Sequence, residues 1–299
     1  MEKVDSKIFT VFSDDYGVVT STPSMTKLPL IAIALYEQGL ATFVEPDPDI
    51  DIEGKLMDLH NPGYVDSFMT GQGELAQSNG FDWSEELRDG VLSINRGQIT
   101  AAGLAFEHGI AANISQGAHH ASYHKGEAYC TFNSIALVAQ EYPDKRIMVI
   151  DVDEHSSNGT ADFARFMPNL FNYTIYGTGF GEKPHSRHIQ VHLSAGEWDL
   201  YQDALNSAFT LAADSWKPNL IILNAGMDCH VDDPLNTLGL TTSQIQERDT
   251  SVFQFCKEAK IPVLFNIAGG YSHDMDFLVS LHVSTWKSAI SVYRLYYPD

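Results

Sequence analysis

Three near-continuous apolar runs constrain the fold of this chain more than any other feature: Arg146–Val152, Asn219–Asn224 and Pro262–Ile267. Such runs are typical of strands that a parallel sheet buries on both faces, whereas a half-exposed strand alternates apolar and polar residues. Amphipathic stretches with a helical period lie between them. This alternation predicts an α/β fold in which a mostly parallel central sheet carries helices on both faces.

The same patterns predict further elements along the chain. Strands are expected at Phe9–Phe12, Thr42–Val44, Ile110–Ile114, Arg146–Val152, Phe171–Tyr176, Gln190–Leu193, Asn219–Asn224 and Pro262–Ile267. Helices are expected at Ser24–Gln38, Ser84–Asn95, Gln98–His108, Phe132–Glu141, Trp198–Ser215, Thr242–Ala259 and Asp276–Tyr293. No Pro/Gly/Ser-rich linker, low-complexity tract or internal repeat interrupts the series, so we expect a single domain over residues 1–299.

The charge balance excludes two classes of partner. With 18 Lys+Arg against 39 Asp+Glu, the formal net charge is −21. This charge repels phosphate backbones and anionic lipid, so we expect no nucleic-acid and no membrane partner. A cationic partner would suit the acidic surface, although such a surface also serves solubility alone. The oligomeric state stays open.

The cysteines and the N-terminus indicate the compartment. Cys130, Cys229 and Cys256 form no CxxC pair and leave one thiol over, as is usual in a reducing compartment. The charged N-terminus lacks the apolar segment of a signal peptide. The longest apolar run, Leu28–Tyr36, is broken by Pro29 and is far shorter than the ~18 residues of a membrane span. The expected location is cytoplasmic.

Ionisable side chains follow two of the three apolar runs. Asp151, Asp153 and His155 alternate in sequence, so an extended backbone points all three to the same side. Asp228 follows the next buried run. Because ligands bind beyond the carboxyl ends of the strands in open α/β sheets, we expect these side chains to share a site.

The ligand types indicate a metal. Asp153, His155 and Asp228 would supply two carboxylates and one imidazole, and three protein ligands with an open position are typical of a catalytic metal site. This set suits zinc or iron(II). Taken singly, Asp151 and Asp153 could instead cap turns, and His155 could be a partly buried histidine with its hydrogen bonds satisfied. The set as a whole favours the metal.

Two further segments carry reactive side chains. The adjacent His119 and His120, here called the histidine pair, lie in a loop flanked by glycine. Gly269 and Gly270 follow the third apolar run and permit an unusual backbone path before Tyr271. These residues add proton-transfer and hydrogen-bonding groups to the predicted site.

Together these motifs resemble the zinc-dependent histone deacetylases of the arginase/deacetylase fold, most of all the class IV and bacterial deacetylase-like members. The resemblance extends from about residue 20 to the C-terminus. It includes, in the order typical of the family, STPSMTKLPLIAIAL, DLHNPGYVDSF, AFEHGIAANISQGAHHA, CTFN, IDVDEHSSNG, NAGMDCHVDDPLNTLGLT and AGGYS.

The resemblance implies the metal ligands. Asp153, His155 and Asp228 match the positions that hold one catalytic Zn²⁺ in the family. It also implies a structural K⁺ near the backbone of residues 151–155, with Thr174 as a further contributor.

The resemblance further implies how the proton-transfer groups are paired. His119 and His120 match the tandem histidines of the family, with Asp151 as the partner of His119 and Asn158 as the partner of His120. We expect His120 to be the general base, with a ring oriented by an uncharged partner. Asp151 should keep His119 more cationic, which favours a developing oxyanion.

The remaining matches concern substrate contacts. Tyr271 matches the tyrosine that assists the substrate carbonyl, and Tyr129 matches an aromatic wall of the acyl-lysine tunnel. Phe180 is the candidate for the opposite wall, and Gly270 is expected to contact substrate beside Tyr271.

The chain departs from the family at several positions near the site. The glycine-rich run before the tandem histidines is thinned to Ser115–Gln116–Gly117. Ser156 and Ser157 stand where many members have histidine or glutamine followed by glycine, and Ala128 stands where glycine is usual. The added methyl group would either narrow the acyl-lysine channel or shift the substrate carbonyl. These changes affect substrate range and rate more than the chemistry.

The leading hypothesis is a zinc-dependent amidohydrolase that removes an acyl group, either acetyl or a longer fatty acyl, from an amine such as the lysine side chain of a peptide or protein. An acetylpolyamine or another small N-acyl amine is an alternative substrate. Arginase-like chemistry is disfavoured, because it uses two manganese ions and more carboxylate ligands. A non-catalytic acyl-lysine-binding protein is a further alternative, but it would not need both histidines and Tyr271.

Overall fold

One sheet of eight parallel strands forms the centre of the fold in the computed structural model, which describes residues 7–293. The ends of the predicted domain, 1–6 and 294–299, lie outside the described residues. The strands are β1 Ile8–Val11, β2 Ala41–Val44, β3 Ile110–Asn113, β4 Ile147–Asp151, β5 Leu170–Tyr176, β6 His188–His192, β7 Leu220–Asn224 and β8 Val263–Asn266. Their order across the sheet is β2-β1-β3-β8-β7-β4-β5-β6.

Every predicted strand is present, with bounds that shift by at most two residues. All neighbouring strands pair in parallel, which confirms the α/β fold with a parallel central sheet. The central strands β3, β4, β7 and β8 are buried along their whole length. Their apolar composition follows from this burial, since neither face of these strands meets water.

The helices pack around this sheet in two groups. They are α1 Pro23–Glu37, α2 Ile52–Leu59, α3 Pro62–Thr70, α4 Glu85–His108, α5 Ser134–Glu141, α6 Asn158–Phe166, α7 Trp198–Thr210, α8 Thr242–Ala259 and α9 Met275–Tyr293. Helices α1, α9, α8 and α7 contact one another in that order, and α2, α3, α4, α5 and α6 form the second group. Among residues 7–293 no helix combines the length and the apolar character that a bilayer span requires.

The predicted break within α4 is wrong. Two helices, Ser84–Asn95 and Gln98–His108, were expected, but the backbone is helical from Glu85 to His108 without interruption. Gly97, at the expected break, packs against Tyr16, and a Cβ there would collide with the tyrosine hydroxyl. The glycine therefore serves close packing between elements and not a turn.

Other helix bounds also differ from the prediction. Helix α7 ends at Thr210, and the expected continuation to Ser215 is a π-helical turn, Leu211–Trp216. Helices α2, α3 and α6 were not predicted. They have only eight or nine residues, so a helical period has few positions in which to appear, although α5, which is equally short, was predicted.

Candidate active site

The predicted site residues follow four neighbouring central strands. Asp151 is the last residue of β4, Asp228 lies four residues after β7, and Gly269 lies three residues after β8. The loop after β3 carries the histidine pair. Because β3, β8, β7 and β4 are adjacent and parallel, their carboxyl ends meet at one edge of the sheet, and these segments converge there.

Asp153, His155 and Asp228 form a compact cluster. One potential ligand atom from each lies within 4.8 Å of the others. His155 Nδ1 is 3.2 Å from Asp153 Oδ1 and 3.1 Å from Asp228 Oδ2. Both carboxylates are buried, and two buried anions need a compensating cation. With this donor set and spacing, the three residues fit a divalent ion such as zinc or iron(II).

The electrostatics of the cluster favour positive charge. Burial and the neighbouring Asp153 raise the pKa of Asp228 to about 7. Burial alone would also raise the pKa of Asp153, but the charge of His119 and the contacts with His155 hold it well below its ordinary value. Burial opposes a charged His155, yet its hydrogen bonds with both carboxylates raise its pKa to about 11. The charges of the cluster thus suit a bound cation or, in its absence, a proton.

Backbone groups hold the two carboxylates in place. The Gly269 N–H donates to Asp153 Oδ2 at 2.7 Å, and the Glu154 N–H donates to Asp228 Oδ1 at 3.1 Å. A Cβ at position 269 would collide with the Asp228 carboxylate, so glycine is required at this close approach. Chain segments that are distant in sequence therefore orient the candidate ligands.

His119 lies beside this cluster and pairs with Asp151. Its Nδ1 is 2.8 Å from Asp151 Oδ2, and its Nε2 is 3.8 Å from Asp153 Oδ1. Burial opposes the charged ring, but the two aspartates outweigh it and raise the pKa of His119 to about 9. His119 is therefore cationic at neutral pH, which is the direction expected from the sequence.

His120 is held in the opposite state. Its Nδ1 is 2.6 Å from Asn158 Oδ1. Burial, reinforced by the positive charge of His119, lowers the pKa of His120 well below its ordinary value. The ring is neutral at neutral pH, so one of its nitrogens carries a lone pair that can accept a proton. The two adjacent histidines thus offer one cation and one base.

Tyr271 lines the same cleft as the histidine pair. Its backbone N–H donates to Asp233 Oδ2 at 2.7 Å. Burial and the charges of Asp228 and Asp153 raise the pKa of Tyr271 well above its ordinary value. The phenol therefore remains protonated and can donate a hydrogen bond.

Lys27 supports the glycine segment before Tyr271 and was not singled out from the sequence. The side chain is buried, and its ammonium donates to the carbonyls of Ala268 at 2.8 Å and Gly270 at 3.4 Å. One sequence signal points to it, because Lys27 stands four residues before the buried Ile31 on the apolar stripe of α1. A lysine on a core stripe needs a buried partner.

A narrow cleft opens beside the histidine pair. Its accessible volume of about 20 Å³ admits about one water molecule. The residues that line it are Ser24, Gln116, His119, His120, Ala128, Tyr129, Cys130, Asp153, Ala268, Gly269 and Tyr271. Larger cavities of 530 and 620 Å³ lie elsewhere and contain none of the predicted site residues.

Of the three predicted substrate-contacting residues, one lines the cleft and two do not. Tyr129 lines the cleft, and its ring centroid is 6.1 Å from that of Tyr271. Phe180 packs on the ring of His120 with 4.2 Å between centroids, but it does not line the cleft. Gly270 does not line it either, because the side-chain position at 270 points toward Leu278 in the core. Its neighbour Gly269 takes the place expected for Gly270.

The positions that depart from the family pattern have local roles. Ser156 Oγ accepts from the Phe180 N–H at 2.9 Å, and Ser157 Oγ accepts from Asn172 Nδ2 at 2.8 Å. Ala128 has a φ of 44° and Tyr129 a φ of 65°, so both adopt the left-handed conformation that favours glycine. The two residues form the corner of a tight turn on the cleft.

His60 supports the loop of the histidine pair. Its Nδ1 lies 2.9 Å from the Ser122 carbonyl, and its Nε2 accepts from the Asn133 N–H at 3.1 Å. Only a neutral ring with a proton on Nδ1 satisfies both contacts. Burial lowers the pKa of His60 to about 4.

This depressed pKa predicts acid sensitivity. Between pH 6.5 and 4 the unfolded state binds a proton that folded His60 does not, so stability is full above this window and falls as the pH falls. Lowering the pH from 7 to 4.5 should therefore decrease the free energy of unfolding by about 2.5 kcal/mol through His60 alone. Urea unfolding of the wild type and of His60→Gln at both pH values measures this decrease, which should be smaller in the variant. Equal pH dependence in the two proteins would contradict the assignment.

Comparisons with known proteins agree on one family. The model of the Histone deacetylase domain matches residues 24–285. The chain is similar to an uncharacterised protein of Picosynechococcus sp., with 29% identity over 95% of this chain and 98% of the relative. It is 33% identical to Histone deacetylase 2 of Arabidopsis thaliana, over 58% of this chain and 48% of that protein.

Two acetylpolyamine hydrolases are also similar to the chain. Acetylpolyamine amidohydrolase 1 of Pseudomonas aeruginosa is 25% identical over 52% of this chain and 48% of that protein. The alignments with this protein and the Arabidopsis protein thus span about half of each relative. The crystal structure of acetylpolyamine aminohydrolase from Burkholderia pseudomallei has a TM-score of 0.79, covering 95% of this chain and 99% of that chain, at 16% identity. That likeness shows a shared fold.

Proposed function

The chain belongs to the histone deacetylase family, and from this premise we propose that it is a zinc-dependent deacetylase that hydrolyses the amide of an N-acyl-lysine or a similar N-acyl amine. One observation carries the proposal. The three candidate ligands converge within 4.8 Å, and the cleft above Asp153 is lined by a neutral His120, a cationic His119 and a protonated Tyr271.

Asp153, His155 and Asp228 would hold the divalent ion. A bound zinc ion supplies Lewis acidity, which polarises the substrate carbonyl and lowers the pKa of a water toward ~7. Zinc is preferred over iron(II) on the family resemblance, and the ligand set suits both metals.

The histidine pair would move the proton. His120 Nε2 takes a proton from the attacking water, and the same ring later delivers a proton to the leaving amine nitrogen. The neutral state that burial and His119 impose on His120 is the state that a base requires. His119 stays protonated through its contact with Asp151 and places positive charge beside the reacting carbonyl.

Tyr271 would stabilise the developing oxyanion. Its phenol keeps its proton, so it donates a hydrogen bond to the carbonyl oxygen as negative charge accumulates there. Lys27 and Asp233 hold the two polar groups of the peptide bond between Gly270 and Tyr271, which fixes the backbone from which the Tyr271 ring extends. Such preset donors act without reorganisation during the reaction.

The cleft supports a short acyl group. The Ala128 methyl on its lining favours acetyl over long acyl chains. The net charge of −21 supports a cationic substrate, so an acetylpolyamine is the second candidate. Attraction of this kind is screened by salt, and a flat ionic-strength dependence of kcat/KM would count against it.

Two further parts of the proposal rest on other observations. Thr174 Oγ1 is buried without a hydrogen-bond partner among the described residues, which supports a structural K⁺ between Thr174 and the backbone of residues 151–155. Cys130, Cys229 and Cys256 are free thiols, which supports a reducing, cytoplasmic compartment.

A substrate panel tests the function. Acetyl-lysine peptides, medium- and long-chain acyl-lysine peptides and acetylpolyamines are assayed with and without a hydroxamate chelator. We expect the highest kcat/KM for an acetyl substrate, with turnover abolished by the chelator. If no N-acyl amine is hydrolysed, the proposal is wrong. Tight acyl-peptide binding without turnover would instead favour a binding protein.

A further inference from the structure

Glu127 contacts the partner of His120. Its Oε2 accepts a hydrogen bond from Asn158 Nδ2 at 2.8 Å, while Asn158 Oδ1 lies 2.6 Å from His120 Nδ1. Asn158 thus bridges a carboxylate and an imidazole. Neither the sequence motifs nor the mechanism above assigns a role to Glu127.

The two ends of the Asn158 amide are chemically different. Oδ1 only accepts hydrogen bonds and the NH₂ group only donates, whereas a half-turn of the amide exchanges them with little change in shape. An ionised carboxylate has no hydrogen to donate. Only the NH₂ group of Asn158 can therefore face Glu127, and Oδ1 must face His120.

The orientation of Asn158 in turn selects the tautomer of His120. Opposite Oδ1, the ring nitrogen Nδ1 must carry the hydrogen, which leaves the lone pair on Nε2 free to accept a proton. Opposite the NH₂ group, Nδ1 would have to accept, so the neutral ring would carry its hydrogen on Nε2. That tautomer cannot act as a base from Nε2.

We propose that Glu127 is a positioning residue that locks the Asn158 amide and thereby holds His120 in the tautomer with a free Nε2. The proposal rests on the proposed function, in which His120 is the base. An asparagine at this place needs such a lock, because an aspartate would present an acceptor to His120 in either orientation.

The fold holds Glu127 where this lock requires it. Its N–H and carbonyl both bond to Cys130, at 3.0 and 2.9 Å, which closes the tight turn on the cleft. Its second oxygen, Oε1, accepts from Lys125 Nζ at 2.8 Å. Each carboxylate oxygen therefore has its own donor, and the one facing Asn158 is not shared with Lys125.

Steady-state kinetics test the proposal on the metal-loaded enzyme. Glu127→Ala should lower kcat about tenfold with KM changed less than about twofold, because the lost hydrogen bond involves a charged group. Glu127→Gln retains an acceptor oxygen and should keep at least about a third of wild-type kcat. Lys125→Ala, which removes the other partner of Glu127, is the control and should stay within about twofold of wild type. Wild-type kcat in Glu127→Ala, or equal losses in the alanine and glutamine variants, would overturn the proposal.

A double substitution separates orientation from general structural support. In an Asn158→Asp background the amide is gone, and Glu127 would face a second carboxylate. Glu127→Ala should then raise kcat, although it lowers kcat in the wild-type background. A decrease in both backgrounds would show that Glu127 only supports the structure.

The ring tautomer itself is measurable by ¹⁵N NMR of the histidine side chains, without turnover. Wild-type His120 should show a protonated Nδ1 and an unprotonated Nε2, and Glu127→Ala should populate the other tautomer. An unchanged tautomer would overturn the lock. This readout also holds if the substrate panel fails, so the two proposals can fail separately.

Discussion

His120→Ala is expected to lower kcat for an acetyl-lysine or acetylpolyamine substrate between about 100-fold and 10,000-fold, the range that a positioned general base contributes. His120 lines the cleft beside Asp153, and burial with the adjacent His119 cation keeps it neutral. Truncation removes the proton acceptor but leaves the candidate metal ligands in place. KM and metal content should therefore change little. Steady-state kinetics with metal analysis of the same samples measure both.

His124→Ala is the matched control for this experiment. His124 lies four residues further along the same loop, is exposed, and does not line the cleft. Its removal should leave kcat within about twofold of wild type, as for most exposed positions. If His120→Ala retained more than a tenth of wild-type kcat, His120 would not be the base, and the pairing with Asn158 would have another purpose.

Asp228→Ala is expected to abolish metal binding and turnover together. Asp228 is one of the three groups that residues 7–293 bring together for the ion, and it is buried against Asp153 and His155. Outer hydrogen-bond partners of ligands alone contribute ten- to 100-fold to metal affinity, so loss of a ligand should weaken the affinity by at least about 100-fold. Metal content after dialysis should fall from about one ion per chain to below about a tenth.

Asp232→Ala is the control for the ligand experiment. Asp232 belongs to the same loop, but its side chain is 72% exposed and lies outside the cluster. This variant should retain the ion and wild-type turnover. If Asp228→Ala bound one divalent ion as tightly as wild type does, the cluster of Asp153, His155 and Asp228 would not be the metal site.

The two experiments also separate the enzyme from the binding protein considered above. A protein that only recognises acyl-lysine through its metal would lose ligand affinity in Asp228→Ala and keep it in His120→Ala, with no turnover in wild type. An enzyme should show turnover in wild type and lose it in both variants. Acyl-peptide affinity, measured alongside turnover, distinguishes these outcomes.

The strands that position the site were predictable because their signal is local. Burial on both faces makes β4, β7 and β8 apolar along their length, and the polar residues after them stand out by contrast. The break expected near Gly97 was wrong, because a glycine that makes room for a distant Tyr16 looks in sequence like one that ends a helix.

The residues that hold the site in place were not predictable, because they act through contacts between segments that are far apart in the chain. Lys27 reaches carbonyls that lie 241 and 243 residues further on. Asp233 accepts from Tyr271 across 38 residues. No periodicity or spacing in the sequence connects such pairs. The position of Lys27 on the apolar stripe of α1 indicates that it needs a buried partner, but the sequence does not identify that partner.

The sequence by itself determined the parallel sheet and the candidate ligands Asp153, His155 and Asp228. Apolar composition indicates a buried strand, and the type and short spacing of polar residues indicate metal ligands. Only the tertiary structure decided that Gly269 and not Gly270 lines the cleft, and that Glu127 faces Asn158 across 31 residues. Those outcomes depend on the directions in which side chains and amides point once the loops are packed. The direction of a side chain or an amide group results from many long-range contacts acting together, and residue type and local spacing do not specify it.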